Sequence, residues 1–177
     1  ARMVKLVTEG NVKTESVLQM RSVSRERFAS VGQMVVLQDP FERDDEYMRF
    51  QAQAAEFIRA RDRLLGLGMN AEEQAIWNRA RQLIQRDEQL HAQVVELAMA
   101  GHVETAMTLL LRDVRPLESR LLEVFNEMVT QYQKANQQSL RESEADYREA
   151  AAYMISLAAL ALVMGLAIAW VVILRSR

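Results

Sequence analysis

The chain contains no cysteine, which excludes disulfides and thiolate metal sites. Two prolines and six glycines in 177 residues leave few places where a helix must break. No basic stripe runs through it, and the formal net charge is −2, so a nucleic-acid partner is not expected. Histidine occurs only twice, as His91 and His102. The opening "ARMVKLVTEGNVK" lacks the apolar core of a secretory signal.

What the chain does have is one long uncharged run. From Ala150 to Leu174 there are 25 residues without a charge. At about 1.5 Å per helical residue, ~20 of them cross a hydrocarbon core of ~30 Å. Tyr153 and Trp170 sit near its ends, Arg175 and Arg177 follow it, and "RESEADYRE" precedes it. Positive charge marks the cytoplasmic side. The run therefore reads as a transmembrane helix over 151–174, with residues 1–150 outside the cytoplasm and 175–177 opening a cytoplasmic segment.

The preceding 150 residues read as helices throughout. Helix 1 runs from near the start to about Gln38. Asp39, Pro40 and Glu42 have the spacing of an N-cap, a first-turn proline and a capping-box partner. Helix 2 then places Tyr47, Phe50, Ala54, Phe57, Arg61 and Leu64 in a 3-4-3-4-3 seam, ending at Gly66 and Gly68. Asn70 and Glu73 form a second capping box. Helix 3 presents Ile76, Ala80, Leu83, Asp87, Leu90, Val94 and Leu97 and stops at Gly101. A fourth helix from about Val103 carries Ala106, Leu110, Leu117, Leu121, Val124, Met128 and Ala135, with Pro116 as a kink or an alternative start.

Counting residues along these helices favours the start at Val103, with a short separate helix over 103–112 as the alternative. The turn after helix 2 then lies level with about residue 135, where the apolar seam ends, and residue 1 lies level with about 149. The expected fold is all-α: an antiparallel up-down-up-down four-helix bundle whose last helix continues into the transmembrane helix. That last helix would be ~108 Å long. Residues 1–15 and 136–150 form a polar membrane-proximal stem that needs a second copy of the chain to cover it. Ala161, Gly165 and Ala169 repeat every fourth position, a small-residue face on which two spans can pack. A homodimer through helices 1 and 4 and the transmembrane helix is expected.

Catalytic and metal readings find little support. Glu88 and His91 make a single Glu-x-x-His motif, whereas a di-iron bundle needs two, and with Leu90 in the seam both fall on its flank. Ligation of haem by His91 and a methionine has no second signal, so no cofactor and no enzyme activity are expected of this segment. Charges in the seams say more. Arg61 sits in the helix 2 seam, about level with Arg21, and Arg25 lies one turn from Arg21. A buried guanidinium needs a partner. Either Glu56, Glu123 or Glu127 pairs with these arginines, or Arg21, Arg25 and Arg61 hold a small anionic ligand, which arginine grips bidentately. Asp87 is expected to meet Arg112 or Arg115.

The stretch "ELAMAGHVETAMTLLLRDVRPLESRLLEVF" and the trailing membrane helix resemble the four-helix-bundle sensor of bacterial methyl-accepting chemotaxis receptors. The segments "NVKTESVLQMR", "QDPFERDDEYMRF" and "AAEFIRARDRLLGL" are more closely similar to the periplasmic regions of membrane-bound diguanylate cyclases and cyclic-di-GMP phosphodiesterases. The resemblance implies a sensory segment in the inner membrane, with residues 1–150 periplasmic. It also implies a further membrane helix before Ala1 and a cytoplasmic output after Arg177, cyclic-di-GMP turnover first and a chemotaxis or histidine-kinase module second. In aspartate-type chemoreceptors helix 1 arginines hold the ligand, and Arg21, Arg25 and Arg27 fall on that helix here. A membrane-anchored adaptor bundle that binds a periplasmic protein is the rival reading.

Overall fold

A computed structural model describes the backbone of residues 2–138, 141 and 154, and side chains from residue 8 onward. The chain divides into two compact units, Ala1–Asn136 and Gln137–Arg177, and the bundle is the first. Helix α1 spans Arg2–Val36, α2 spans Pro40–Gly66 and α3 spans Ala71–Met99. The fourth helix begins as α4 at Val103–Leu109, passes through a π-helical turn at Leu110–Val114 and continues over 115–138. The span expected over 151–174, with its Ala161, Gly165 and Ala169 face, lies outside the described residues apart from Met154. Among the described residues no helix is long and apolar enough to cross a membrane.

The helix boundaries follow from local chemistry. Asp39 caps α2 by accepting from the Phe41 amide at 2.9 Å, and Pro40 opens the helix without wasting a donor. The reciprocal bond expected from Glu42 is not made, because the Asp39 carboxylate settles on the second amide rather than the third. At α3 the capping box is complete: Asn70 Oδ1 accepts from the Glu73 amide, and Glu73 Oε2 accepts from the Asn70 amide, both at 2.9 Å. The end of α3 is a Schellman turn. The His102 amide donates to Leu97 O at 2.8 Å and the Gly101 amide to Ala98 O at 3.1 Å, with Gly101 at φ 80°. After α2 it is Gly68, not Gly66, that takes the left-handed conformation. Gly101→Ala and Asn70→Ala should each lower the unfolding free energy by about 1 kcal/mol, measured by urea denaturation.

Pro116 explains the widened turn. It has no N–H for the Arg112 carbonyl, and its ring would crowd that carbonyl in a regular helix. Expanding the preceding turn relieves both, and the Arg115 amide donates to Leu110 O, five residues back. The fourth helix is therefore continuous through Pro116 rather than started by it.

Side-chain pairs set the topology. Lys13 meets Glu73 at 2.8 Å and Arg27 meets Glu88, so α1 and α3 run parallel. Arg21 meets Asn126, and the Asn136 amide donates to Asn11 at 3.1 Å, so α1 and the fourth helix run antiparallel. These levels lie about one turn from the sequence-based count, and the π-turn uses one of those residues. The bundle is up-down-up-down as expected.

Its core is split in two. One cluster joins Val17, Met20, Phe57, Leu64, Trp77, Leu121, Phe125 and Met128; the other joins Val31, Met34, Phe50, Val94, Ala106 and Leu110. On α1 the two are separated by Ser24, Arg27 and Ser30, all buried.

Candidate functional site

Each helix contributes to the polar layer between these clusters. Arg27 comes from α1, Gln53 from α2, Asp87 and His91 from α3 and Glu118 from the fourth helix, and all are buried. Heptad spacing puts Arg27 there: Val17, Met20, Ser24, Arg27, Val31 and Met34 form a 3-4-3-4-3 seam facing the core. Its side chain is 6% exposed.

A buried guanidinium is held by charge and by a ring. Both terminal nitrogens of Arg27 donate to the Glu88 carboxylate, one of them at 3.1 Å. Its central carbon lies 4.3 Å from the Phe50 ring centroid, a cation–π contact. Phe50 in turn packs perpendicular to the His91 ring, with centroids 5.9 Å apart. Ser30 Oγ donates to Gln53 at 3.3 Å.

The remaining groups are less well satisfied. His91 Nδ1 lies 3.2 Å from Asp87 Oδ2, yet Arg27 Nε, Asp87 Oδ1, both His91 nitrogens and both Glu118 carboxyl oxygens have no hydrogen-bond partner. Burial therefore dominates their titration. It pushes Asp87 up to about 7, helped by the Glu118 and Glu88 charges and opposed by Arg27. It pushes Glu118 up to about 7 against the pull of Arg25 and Arg27. His91 falls to about 4, through burial and then through repulsion by Arg27. At neutral pH the layer holds a neutral imidazole, an arginine–glutamate pair and two carboxyls near their midpoints.

A cleft reaches this layer from outside. It encloses about 560 Å³ between α2 and α3 and has Arg27 and Phe50 at its floor. Tyr47 and Ala54 form one wall, with Glu88 and Val95 on the other. Glu88 is the only member of the ion pair within easy reach of water, at 46% exposed.

The residues singled out from sequence are placed elsewhere. Arg21 is half-buried and donates to Asn126 on the fourth helix. Arg25 is exposed and close enough to Glu118 to act on its titration. Arg61 is not a core residue. It is 38% exposed and folds onto Asp62 at 2.8 and 3.0 Å. The reason is rotation: α2 buries Glu46, Phe50, Gln53, Phe57, Ala60 and Leu64, leaving Tyr47, Ala54 and Arg61 beside the seam. Glu127, offered as a partner for these arginines, pairs with Arg79 at 2.6 Å. Asp87 faces His91, while Arg112 turns to its neighbour Asp113 at 2.9 Å.

A similar rotation corrects α3. His91, expected on the flank, is 1% exposed, and Trp77 and Ala98 share the core with it, while Leu83, Leu90 and Leu97 are half-buried. Among the described residues no group of three or more histidine, aspartate or glutamate side chains is placed to hold a metal ion.

The arrangement sets the Asp87–His91 pair beside the Arg27–Glu88 pair. It offers charge buried at one level of an otherwise apolar bundle, with a cleft leading to it. Comparison with known proteins points to a sensory module. No curated protein matches the chain. A family model described as a four helix bundle sensory module for signal transduction matches residues 3–147. The chain belongs to this family of four-helix-bundle sensory modules.

Proposed function

We propose that residues 1–150 are the periplasmic sensory region of a dimeric bacterial receptor, that 151–174 cross the inner membrane, and that the fourth helix relays binding to a cytoplasmic domain that turns over cyclic di-GMP. A sensory module must hold two packings of similar free energy, because a ligand shifts an equilibrium only by its differential affinity for the two states. The observation that carries the reading is the polar layer. Arg27, Asp87, His91 and Glu118 join three helices through groups whose hydrogen bonds are incomplete, and the cleft reaches this layer at Arg27 and its partner Glu88. Apolar packing alone would have one tight solution; an under-satisfied ionic layer has alternatives of comparable cost. The sequence pattern of 150–177 supports the membrane crossing and its orientation.

Fusions of alkaline phosphatase test the placement. The enzyme should be active when joined at Gly101 and inactive when joined after Arg177. The reverse pattern would overturn the receptor reading.

A further inference from the structure

The π-turn of the fourth helix borders a second, smaller groove that the polar layer does not use. It encloses about 190 Å³ between α3 and the fourth helix. Arg86 and Leu90 line it from α3; Arg112, Asp113, Leu117 and Arg120 line it from the fourth helix. Three guanidinium groups thus converge where only one carboxylate is present. Arg112 is occupied with Asp113, at 2.9 and 3.1 Å. Arg86 and Arg120 are exposed, and among the described residues neither has a hydrogen bond or ion pair to the protein.

Arg120 makes no bond with Glu123, the exposed carboxylate three residues on, and Arg86 has no carboxylate at i+3 or i+4. Here two unpaired arginines from different helices border one concave surface, with Leu90 and Leu117, half-buried and buried, between them. Guanidinium binds oxyanions through two parallel N–H bonds, and the leucines suit a short carbon chain better than a compact inorganic ion.

We infer that this groove is a binding site for a small organic dianion, with one carboxylate on Arg86, the other on Arg120, and its carbon chain over Leu90 and Leu117. The occupant bridges α3 to the fourth helix. It does so where the backbone ladder of the fourth helix is already broken, since Pro116 has no donor and the preceding turn is widened. A regular α-helix resists local rotation; a π-turn can be re-formed as α by shifting one residue. Dianion binding would therefore act on the element that the receptor reading makes the relay, but the binding itself does not depend on that reading.

Thermal unfolding and calorimetry of the full chain in detergent test it, with succinate, phosphate and acetate as probes. Succinate should raise the melting temperature in a saturable way and acetate should not. Arg86→Gln and Arg120→Gln, both at exposed positions, should each weaken succinate about tenfold, the effect of losing a charge-assisted hydrogen bond. Arg21→Gln and Arg61→Gln should leave it unchanged. The site is overturned if no dicarboxylate gives a saturable shift, or if the shift survives in both Arg86→Gln and Arg120→Gln. Loss of the shift in Arg21→Gln or Arg61→Gln instead would move the anion to the other arginines. Equal response to phosphate and succinate would overturn the organic dianion. None of these outcomes bears on the phosphatase fusions, so the two readings fail separately.

Discussion

Asp87→Asn should raise the melting temperature at pH 8 by roughly 5–10 °C and by less than half as much at pH 5, where only the unfolded chain has released the proton. At pH 5 the Asp87 carboxyl is already protonated, since burial and the Glu118 charge push it up to about 7. Asparagine copies that neutral form in size and can still offer a donor to His91. At pH 8 the native side chain is an ionised carboxylate with Oδ1 unpaired, and the variant removes that penalty.

The same groups set the sign of the overall pH dependence. Asp87 and Glu118 keep their protons in the fold to about pH 7, whereas the unfolded chain releases them near 3.8 and 4.5. Between those limits the folded chain holds more protons, so stability falls as pH rises. His91 acts the other way. Its ordinary value of 6.5 drops to about 4, so the unfolded chain binds the extra proton and stability rises through that interval. Two carboxyls outweigh one imidazole, and above pH 6.5 the imidazole no longer opposes them. Thermal denaturation between pH 5 and 8 should show a falling melting temperature, steepest near neutrality. In Asp87→Asn the slope should shrink without vanishing, because Glu118 still titrates. A loss of stability at both pH values would mean that the Asp87 charge is wanted in the fold.

Local features of this fold were legible in the sequence; rotations about helix axes were not. Asp39–Pro40, Asn70–Glu73 and Gly101 announce their turns because a cap involves only neighbours in the chain. Pro116 announced a disturbance of the fourth helix for the same reason, although a proline alone does not say whether a helix kinks, restarts or widens. In α2, by contrast, Phe50, Phe57 and Leu64 belong equally to a seam with Tyr47, Ala54 and Arg61 or to one with Glu46, Gln53 and Ala60. Apolar counting favours the first, yet the second is buried. The choice is made by partners on other helices, such as Ser30, which donates to Gln53. The site inherited this ambiguity. Residue spacing puts Arg61 inside and His91 outside, each by a rotation of about one residue, and does not pair Arg27 with Glu88. The signal for that pair was present: the regular seam from Val17 to Met34 runs straight through Arg27.

Arg27→Ala should lower the unfolding free energy by about 3 kcal/mol, at the lower edge of what breaking a buried ion pair costs. Glu88 is half exposed, so the carboxylate left behind can turn to water. The loss comes instead from the cavity against Phe50 and from the two buried carboxyls that Arg27 now draws towards ionisation. Those two contributions separate. Arg27→Met fills much of the volume over Phe50 without the charge, so at pH 5, where Asp87 and Glu118 are neutral, it should recover most of the stability that alanine loses. At pH 8 methionine should recover less, because the carboxylates then lack a compensating cation. Urea unfolding of both variants at the two pH values measures the split. Equal losses for methionine and alanine at pH 5 would show that Arg27 stabilises the bundle through its charge alone, and the polar layer would then be a fixed salt bridge rather than an element with two packings.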